Sequence, residues 1–296
     1  MKIKVLFQKI NGRFNGLFFT KAVFKLIDKI SGNAVFYRKY NEPGKPVVLP
    51  IQFMAGIGNR IKSMAARFAY YKTKEMYLAW PASGWVNKSF KDLFDLSAGG
   101  YKIKEINRRI PVIESDIVAQ AEKQSGSVLI DAKAGVISIE KSKYEEVSDI
   151  VNKEYGDFFN SLKPSKKVLE RINSVQLPED FISVFVRENY DWAKFGRGNR
   201  LDEFIKALDD KSVSIYLSCM NLQTSKEFRK LYKGEVFELV GKDYSSDIDA
   251  VADLYILSKA KTAIYSYGST FCEAAYYLSG CRQKVTIIGN RDKWIR

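Results

Sequence analysis

The chain has 296 residues, of which 46% are hydrophobic, so it is long enough for two domains of ordinary size and too apolar to be disordered. It contains no histidine, which excludes the Ser-His-Asp and Cys-His mechanisms and removes the commonest transition-metal ligand. Its three cysteines, Cys219, Cys272 and Cys281, show no CxxC spacing, so neither a disulfide framework nor a zinc site is expected and a reducing cytoplasm is indicated.

The formal net charge of +14 is concentrated at the N-terminus. Residues 1–46 contain ten Lys or Arg against two acidic residues, a net of +8, which leaves +6 for the other 250 residues. Because the rest of the chain is only mildly basic and shows no nucleic-acid reader motif, a nucleic-acid partner is not expected.

Within this N-terminal arm, FNGLFFTKAVFKLIDKI spaces Lys21, Lys25 and Lys29 four apart along one helical face. Such a helix fits an anionic membrane surface, and it equally fits a first helix that packs on the protein itself. Lysines interrupt the apolar runs well before the roughly 20 residues that a membrane span needs. We therefore predict a cytoplasmic protein whose residues 1–46 form a basic amphipathic arm that can lie on the inner face of the membrane.

A strand–helix–strand unit follows a linker at residues 43–46. VVLPIQF (47–53) is predicted as a buried strand and MYLAW (76–80) as the next one. The apolar residues between them recur at helical spacing: Ile57, Ile61, Met64 and Phe68. Gly56 and Gly58 lie at the start of this helix. A glycine turn there can present backbone N–H groups to an anion, and two glycines are equally compatible with an ordinary turn. Further on, SFKDLFD is predicted as a helix and SVLIDAKAGVISI as a strand pair.

Five strand patterns alternate with four helical ones in the last third of the chain. The strands are FISVFVRE (181–188), SVSIYLSC (212–219), EVFELV (235–240), TAIYSY (262–267) and KVTIIG (284–289). The helices are NRLDEFIKALDD, LQTSKEFRKLYK, DIDAVADLYILSKA and TFCEAAYYLSG. This order predicts an α/β fold with a doubly wound parallel sheet. We expect two Rossmann-like domains that face a cleft, an N-terminal one over residues 47–165 and a C-terminal one over residues 166–296.

Polar residues follow two strands of the predicted C-terminal sheet, and ligands of such sheets bind at the carboxyl ends of strands. Arg187 follows the first strand, and Gly268, Ser269 and Thr270 open the helix after the fourth. A guanidinium and a helix N-terminus with hydroxyls suit a diphosphate. Taken singly, Ser269 or Thr270 is equally an N-cap and Arg187 a surface ion-pair residue.

Several segments, in the same order, resemble the superfamily of the nodulation fucosyltransferases and α1,6-fucosyltransferases. They are GIGNRIKSMAARFAYYKTKEMYLAWP with FKDLFD, YGDFFNSLKPSKKVLERI, VFVRENYD, IYLSCMN and DLYILSKAKTAIYSYGSTFCEAAYYLSG, over about residues 47–290. Three departures stand out. Phe185 replaces the family histidine, Glu188 replaces its second arginine, and Ser218, Cys219 and Asn221 replace the acidic pair of the next strand.

The resemblance implies a two-domain GT-B glycosyltransferase that is inverting and metal-independent. It implies a nucleotide sugar, GDP-fucose first, as co-substrate and no other cofactor. The basic N-terminal arm suits a cell-envelope or lipid-linked glycan as acceptor, which is the acceptor we expect. By position, Arg187 would bind the donor diphosphate, Ser269 and Thr270 would contact a phosphate, and Asp253 would lie near the nucleotide or brace its helix. The donor set is completed by Tyr267, Gly268 and Asn221. The residues expected on the acceptor side of the cleft are Gly56, Gly58, Asn59, Arg60 and Trp80.

The chemistry of sugar transfer adds further expectations. Arg187 would stabilise the leaving diphosphate, and Glu188 and Asp191 are the nearest candidates for a general base, with Asp202 and Glu273 behind them. The single DxD, Asp247-Ile248-Asp249, opens a predicted helix and is interpreted as capping rather than metal-binding, so no metal site is expected. The ring of Trp80 either stacks on a sugar or is plain wall.

Two other functions stay open at the level of sequence. The missing acidic pair allows a nucleotide sugar with another base, because recognition of the guanine amine often uses acidic partners. The missing histidine and second arginine allow a non-catalytic protein that binds nucleotide sugars or glycans.

Overall fold

Two parallel sheets organise the part of the chain that the structure describes. The computed structural model describes residues 47–50, 56–71, 74–80, 82, 85–106, 128–131, 136–139, 148–149, 151–187, 201–208 and 212–289. In chain order the elements are β1 (Val47–Pro50), α1 (Ile57–Tyr71), β2 (Glu75–Ala79), α2 (Phe90–Leu93), β3 (Phe94–Asp95), β4 (Lys102–Ile106), β5 (Val128–Asp131), β6 (Val136–Ile139), α3 (Gly156–Ser161), β7 (Lys163–Pro164), α4 (Lys166–Asn173), β8 (Ile182–Val186), α5 (Leu201–Ala207), β9 (Ile215–Cys219), α6 (Leu222–Leu231), β10 (Val236–Phe237), α7 (Asp247–Leu257), β11 (Thr262–Ser266), α8 (Thr270–Leu278) and β12 (Lys284–Ile288). The arm predicted for residues 1–46 lies outside the described residues.

The first sheet contains three parallel strands in the order β1-β2-β4. Its first ladder starts with Val47 opposite Met76. Helix α1 connects β1 to β2, and it buries the four positions whose spacing indicated a helix: Ile57, Ile61, Met64 and Phe68. The predicted strand–helix–strand unit is therefore confirmed.

Two short antiparallel pairs lie between the sheets in sequence. Strand β3 pairs with β7, and β5 pairs with β6 as the predicted strand pair. Helix α2 begins after Ser89, whose hydroxyl accepts a hydrogen bond from the backbone N–H of Asp92. The helix predicted in SFKDLFD is thus present, and a side-chain cap sets its start.

The second sheet has five parallel strands in the order β10-β9-β8-β11-β12, with α5, α6, α7 and α8 as its crossover helices. All five predicted strands and all four predicted helices are confirmed. The chain moves from β8 outward to β10 and then returns to the other side of β8 with β11 and β12. The strand order therefore reverses between β8 and β11, which is where ligands of open α/β sheets bind.

The two sheets share buried apolar residues through helices α1 and α8. One cluster includes Ile61 and Met64 from α1 together with Ala274 and Tyr277 from α8. The domain boundary predicted between residues 165 and 166 stays a prediction. Among the described helices, none is both long and apolar enough to cross a membrane.

Candidate functional site

Arg187 is the first residue after β8, at the point where the strand order reverses. Its backbone N–H donates to Ser266 Oγ at 2.7 Å, and that hydroxyl donates to the carbonyl of Phe185 at 3.1 Å. Ser266 is the last residue of the neighbouring strand β11. The ends of β8 and β11 are therefore joined, and the Arg187 backbone is held at the carboxyl edge of the sheet.

The turn after β11 leads into the N-terminus of α8. Gly268 has a φ of +67°, a left-handed conformation that favours glycine, and Tyr267 beside it is half-buried. Ser269 caps the helix, since its hydroxyl accepts from the backbone N–H of Cys272 at 3.4 Å. Burial raises the pKa of the Cys272 thiol, and the nearby charge of Arg187 acts in the opposite direction. A guanidinium and a helix N-terminus, both favourable to an anion, thus lie near each other.

The N-terminus of α1 abuts the N-terminus of α8. A Cβ atom on Gly58 would lie 2.4 Å from the carbonyl oxygen of Thr270 and 2.6 Å from the backbone nitrogen of Phe271. On Gly56 it would meet only the ring of Trp85, at 3.9 Å. Neither glycine has a positive φ. Gly58 is therefore required by the close approach of two helices rather than by a turn conformation.

Two residues expected on the acceptor side, Arg60 and Trp80, are fully buried. The guanidinium carbon of Arg60 lies 4.8 Å from the centre of the Trp80 ring. Burial lowers the pKa of Arg60 to about 10, against the charge of Asp247. The indole N–H of Trp80 donates to the Lys88 carbonyl at 3.0 Å. Because the Trp80 ring is fully buried, it offers no surface on which a sugar could stack. Burial of its large apolar area and its cation–π contact with Arg60 stabilise this position in the core. Asn59 is half-buried.

An ion pair that sequence reasoning missed joins α1 to α8. Lys62 Nζ donates to Glu273 Oε2, and the two side chains are 1% and 7% exposed. This pairing removes Glu273 from the candidates for a general base, since its carboxylate already binds a buried ammonium. In the sequence, Lys62 lies on the apolar face of the predicted helix, which indicates a buried charge. The sequence does not indicate which acidic residue pairs with it.

Asp253 joins α7 to the end of β9. Its carboxylate accepts hydrogen bonds from Tyr216 at 2.5 Å and Ser218 at 2.7 Å, and its Oδ2 lies 2.7 Å from Lys242 Nζ. Burial raises the pKa of Asp253, while Lys242 and the two hydroxyl donors oppose that effect. Lys242 was not singled out in the sequence. Close by, Asn221 caps α6 by accepting from the backbone N–H of Thr224 at 2.8 Å.

The two carboxylates of the DxD stretch make structural bonds. Asp247 accepts from the backbone N–H groups of Asn87 and Lys88, at 2.6 and 3.0 Å. Asp249 forms a bidentate pair with Arg171, at 2.6 and 2.9 Å. Within the described ranges, no three His, Cys, Asp or Glu side chains come together to form a metal site.

A cavity of about 700 Å³ opens beside the loop that follows β10. Its wall includes residues 236–242, the first residue of α6, Leu222, and Tyr244. Leu222 and Val240 are 51% and 66% exposed. The wall also includes Ser174, Val175, Gln176 and Arg229, and β10 is the edge strand of its sheet.

Two of the expected catalytic residues, Glu188 and Asp191, lie outside the described residues. Asp202, in α5, is exposed. Assignment of the general base to Glu188 or Asp191 therefore stays a prediction.

Comparison with solved structures relates this architecture to fucosyltransferases. The crystal structure of POFUT1 in complex with GDP-fucose is 12% identical and aligns over 85% of this chain and 100% of that chain, with a TM-score of 0.52. Fucosyltransferase NodZ from Bradyrhizobium is 16% identical over 77% of this chain and 91% of that chain, with a TM-score of 0.49. No protein-family model matches the chain, and no curated protein matches it in sequence.

At such low identity the likeness concerns the fold. The parallel five-stranded sheet, its crossover helices and the second parallel sheet agree with that likeness. The chain therefore has the α/β GT-B fold of the fucosyltransferases that its motifs resemble.

Proposed function

We propose that the chain is a glycosyltransferase that uses a nucleoside diphosphate sugar as donor. The observation that carries this proposal is the meeting of Arg187 with the N-terminus of α8 where the strand order reverses. Arg187 is hydrogen-bonded to Ser266 at the end of β11, and its charge acts on Cys272 in the first turn of α8. A cation and a helix N-terminus together favour a diphosphate.

The same arrangement supports a role in the chemical step. When the glycosidic bond to the diphosphate breaks, negative charge grows on the leaving oxygen. Arg187 and the backbone N–H groups of α8 would stabilise that charge without a metal ion. A direct, inverting displacement would also need an acceptor hydroxyl to lose its proton, for which Glu188 and Asp191 stay the sequence-based candidates.

GDP-fucose is the leading donor, for two reasons. The motifs of the last third of the chain resemble those of fucosyltransferases, and POFUT1, whose fold matches with a TM-score of 0.52, was solved in complex with GDP-fucose. Phe185 at the place of the family histidine favours the alternatives, another nucleotide sugar or a non-catalytic binding protein. A phenyl ring has no ionisable group, so Phe185 can take no part in proton transfer, and its ring is buried against Phe271, at 5.1 Å between centroids.

The acceptor proposed is a glycan of the cell envelope or a lipid-linked glycan. Its support is the sequence of residues 1–46, whose net charge of +8 and amphipathic pattern suit an anionic membrane surface. Loss of sedimentation with anionic vesicles after deletion of residues 1–40 would support membrane docking by this arm, and unchanged sedimentation would contradict that docking.

The donor proposal is tested by thermal unfolding of the protein with GDP, UDP, GDP-fucose, GDP-mannose and UDP-sugars, without added metal. We expect a selective rise in Tm with GDP and GDP-fucose, because a ligand that binds only the folded state stabilises it. Stabilisation by UDP species alone would change the donor and keep the reaction class. No rise with any nucleotide would contradict the proposed function.

A further inference from the structure

Trp85 is a large apolar side chain that stays 61% exposed to solvent. The loop that carries it is anchored at the following residues. Val86 is fully buried in the core. The backbone N–H groups of Asn87 and Lys88 donate to the carboxylate of Asp247, at 2.6 and 3.0 Å. Because the loop is held by the core and by the first residue of α7, the exposed indole ring is preorganised and loses little entropy when a ligand binds to it.

Trp85 lies at the edge of the first sheet where its parallel strands end. It follows β2, and its ring comes within 3.9 Å of the position that a Cβ atom on Gly56 would take, directly before α1. Two residues further on, the Cβ position of Gly58 lies 2.4 Å from the carbonyl oxygen of Thr270 in α8. Since consecutive Cα atoms are about 3.8 Å apart, the Trp85 ring is at most about 17 Å from the candidate phosphate site.

Gly56 leaves space for a ligand beside the Trp85 ring. It has no positive φ that would favour glycine. Among the described residues, a side chain at this position would meet only Trp85, at an ordinary contact distance. Within that part of the chain, neither backbone conformation nor close packing accounts for glycine here. The missing side chain keeps the start of α1 open next to the indole, so a flat group can lie on the ring.

The chemistry of the indole ring limits which groups can bind to it. The face of an aromatic ring carries partial negative charge and attracts groups with partial positive charge. A pyranose whose hydroxyls are equatorial has faces made of axial C–H groups, which meet this requirement over the whole area of the ring. A phosphate or a carboxylate is repelled by the same face. The exposed ring therefore suits a neutral sugar rather than the diphosphate of the donor.

On the basis of the proposed function, we infer that Trp85 stacks on a sugar ring of the acceptor, and that this sugar is a pyranose with equatorial hydroxyls. The acceptor has to approach the carbon that is bonded to the diphosphate, and Trp85 lies within reach of the phosphate site on the side of the first sheet. Trp85 thus contributes affinity and orientation for the acceptor, while Arg187 acts on the donor.

Saturation-transfer NMR of the full chain with cellotetraose or maltotetraose tests this inference, with and without saturating GDP. Both probes consist of glucose rings with equatorial hydroxyls, joined by different linkages. We expect at least one probe to bind, and GDP not to displace it, because the ring lies outside the donor site. Binding of GDP with no binding of either probe, or displacement of the probe by GDP, would overturn the inference and leave the proposed function standing. No binding of GDP or of either probe would overturn both.

Substitution of Trp85 tests whether its flat ring makes the contact. We expect Trp85→Leu to bind the probe at least fivefold more weakly, and Trp85→Phe to stay within threefold of the unchanged protein, because phenylalanine keeps an aromatic face and leucine keeps only apolar area. Leu169→Ala, which removes another exposed apolar side chain, is the matched control and should bind the probe unchanged. Full binding by Trp85→Leu, or equal losses in the leucine and phenylalanine variants, would overturn the assignment.

A membrane surface is the alternative partner that the same variants examine, since tryptophan also suits the boundary between lipid and water. We expect Trp85→Leu to sediment with anionic vesicles as the unchanged protein does. A loss of sedimentation together with unchanged probe binding would assign the ring to the membrane and would overturn the inference.

Discussion

Gly58 has a structural role that follows from a single distance. Its Cβ position lies 2.4 Å from the Thr270 carbonyl oxygen, in the backbone of α8, so the space between α1 and α8 admits no side chain. A helix interior ordinarily disfavours glycine. Here the close approach of two backbones outweighs that preference, and it brings the N-termini of both helices together beside the candidate phosphate site.

Gly58→Ala is therefore expected to destabilise the protein by about 1–3 kcal/mol, the usual cost of overpacking. Gly56→Ala is the matched control, since its added methyl group would meet only the Trp85 ring at 3.9 Å. Urea unfolding of the two variants measures the difference. Equal stabilities would show that the helices separate without cost and would contradict the close contact.

Ser269 caps α8 and is also proposed to contact a phosphate, and substitution can separate these two roles. Its hydroxyl caps α8, and Ser246 caps α7 in the same way by accepting from the backbone N–H of Asp249. We expect Ser269→Ala and Ser246→Ala each to lower the free energy of unfolding by about 0.5–2 kcal/mol. If Ser269 also contacts a phosphate, only its variant will bind GDP more weakly, which calorimetry measures. Equal GDP affinity in the two variants would leave Ser269 as a cap alone.

At the scale of elements, a buried ion pair adds to the apolar packing and the close approach of α1 and α8. Lys62 and Glu273 belong to helices that serve different sheets, and neither side chain has appreciable contact with water. Removal of one partner strands the other charge in the interior, whereas removal of both leaves an apolar contact. We therefore expect a substitution of Lys62 or Glu273 alone to destabilise the protein more than a substitution of both.

Lys62→Met is expected to cost about 3–5 kcal/mol, because the Glu273 carboxylate would stay buried without its cation. The double variant Lys62→Met/Glu273→Met should recover much of that loss. Lys261→Met, which breaks an exposed pair with Asp180, should leave the urea midpoint unchanged. A double variant no more stable than Lys62→Met would contradict the account of a stranded charge.

The scale of elements is also where the sequence was most informative. The five strands and four helices of the last third are short runs whose burial pattern is local, so their periodicity predicts them directly. The pairing of Lys62 with Glu273 spans 211 positions of sequence, and no local pattern contains such a contact. The burial of Trp80 could not be predicted either, because the sequence of a strand end does not indicate whether an aromatic ring there faces the core or a cleft.

At the scale of the whole molecule, the fold brings together features that are far apart in the chain. Arg187 follows β8 and Ser269 follows β11, and the reversal of strand order makes these strands neighbours. Their meeting could be predicted because a doubly wound sheet has only one such switch point. The ion pair of Lys242 with Asp253 could not, since it forms only when the loop after β10 packs against α7 in the folded chain.

The most direct test of the account is calorimetric titration of Arg187→Ala with GDP in the absence of metal. Arg282→Ala, which removes an exposed arginine outside the candidate site, is the control. We expect at least tenfold weaker GDP binding by Arg187→Ala and unchanged binding by Arg282→Ala, since the loss of a charge-assisted bond to a diphosphate costs about 1.5–3 kcal/mol. Unchanged GDP affinity in a folded Arg187→Ala protein would contradict a diphosphate site at the end of β8.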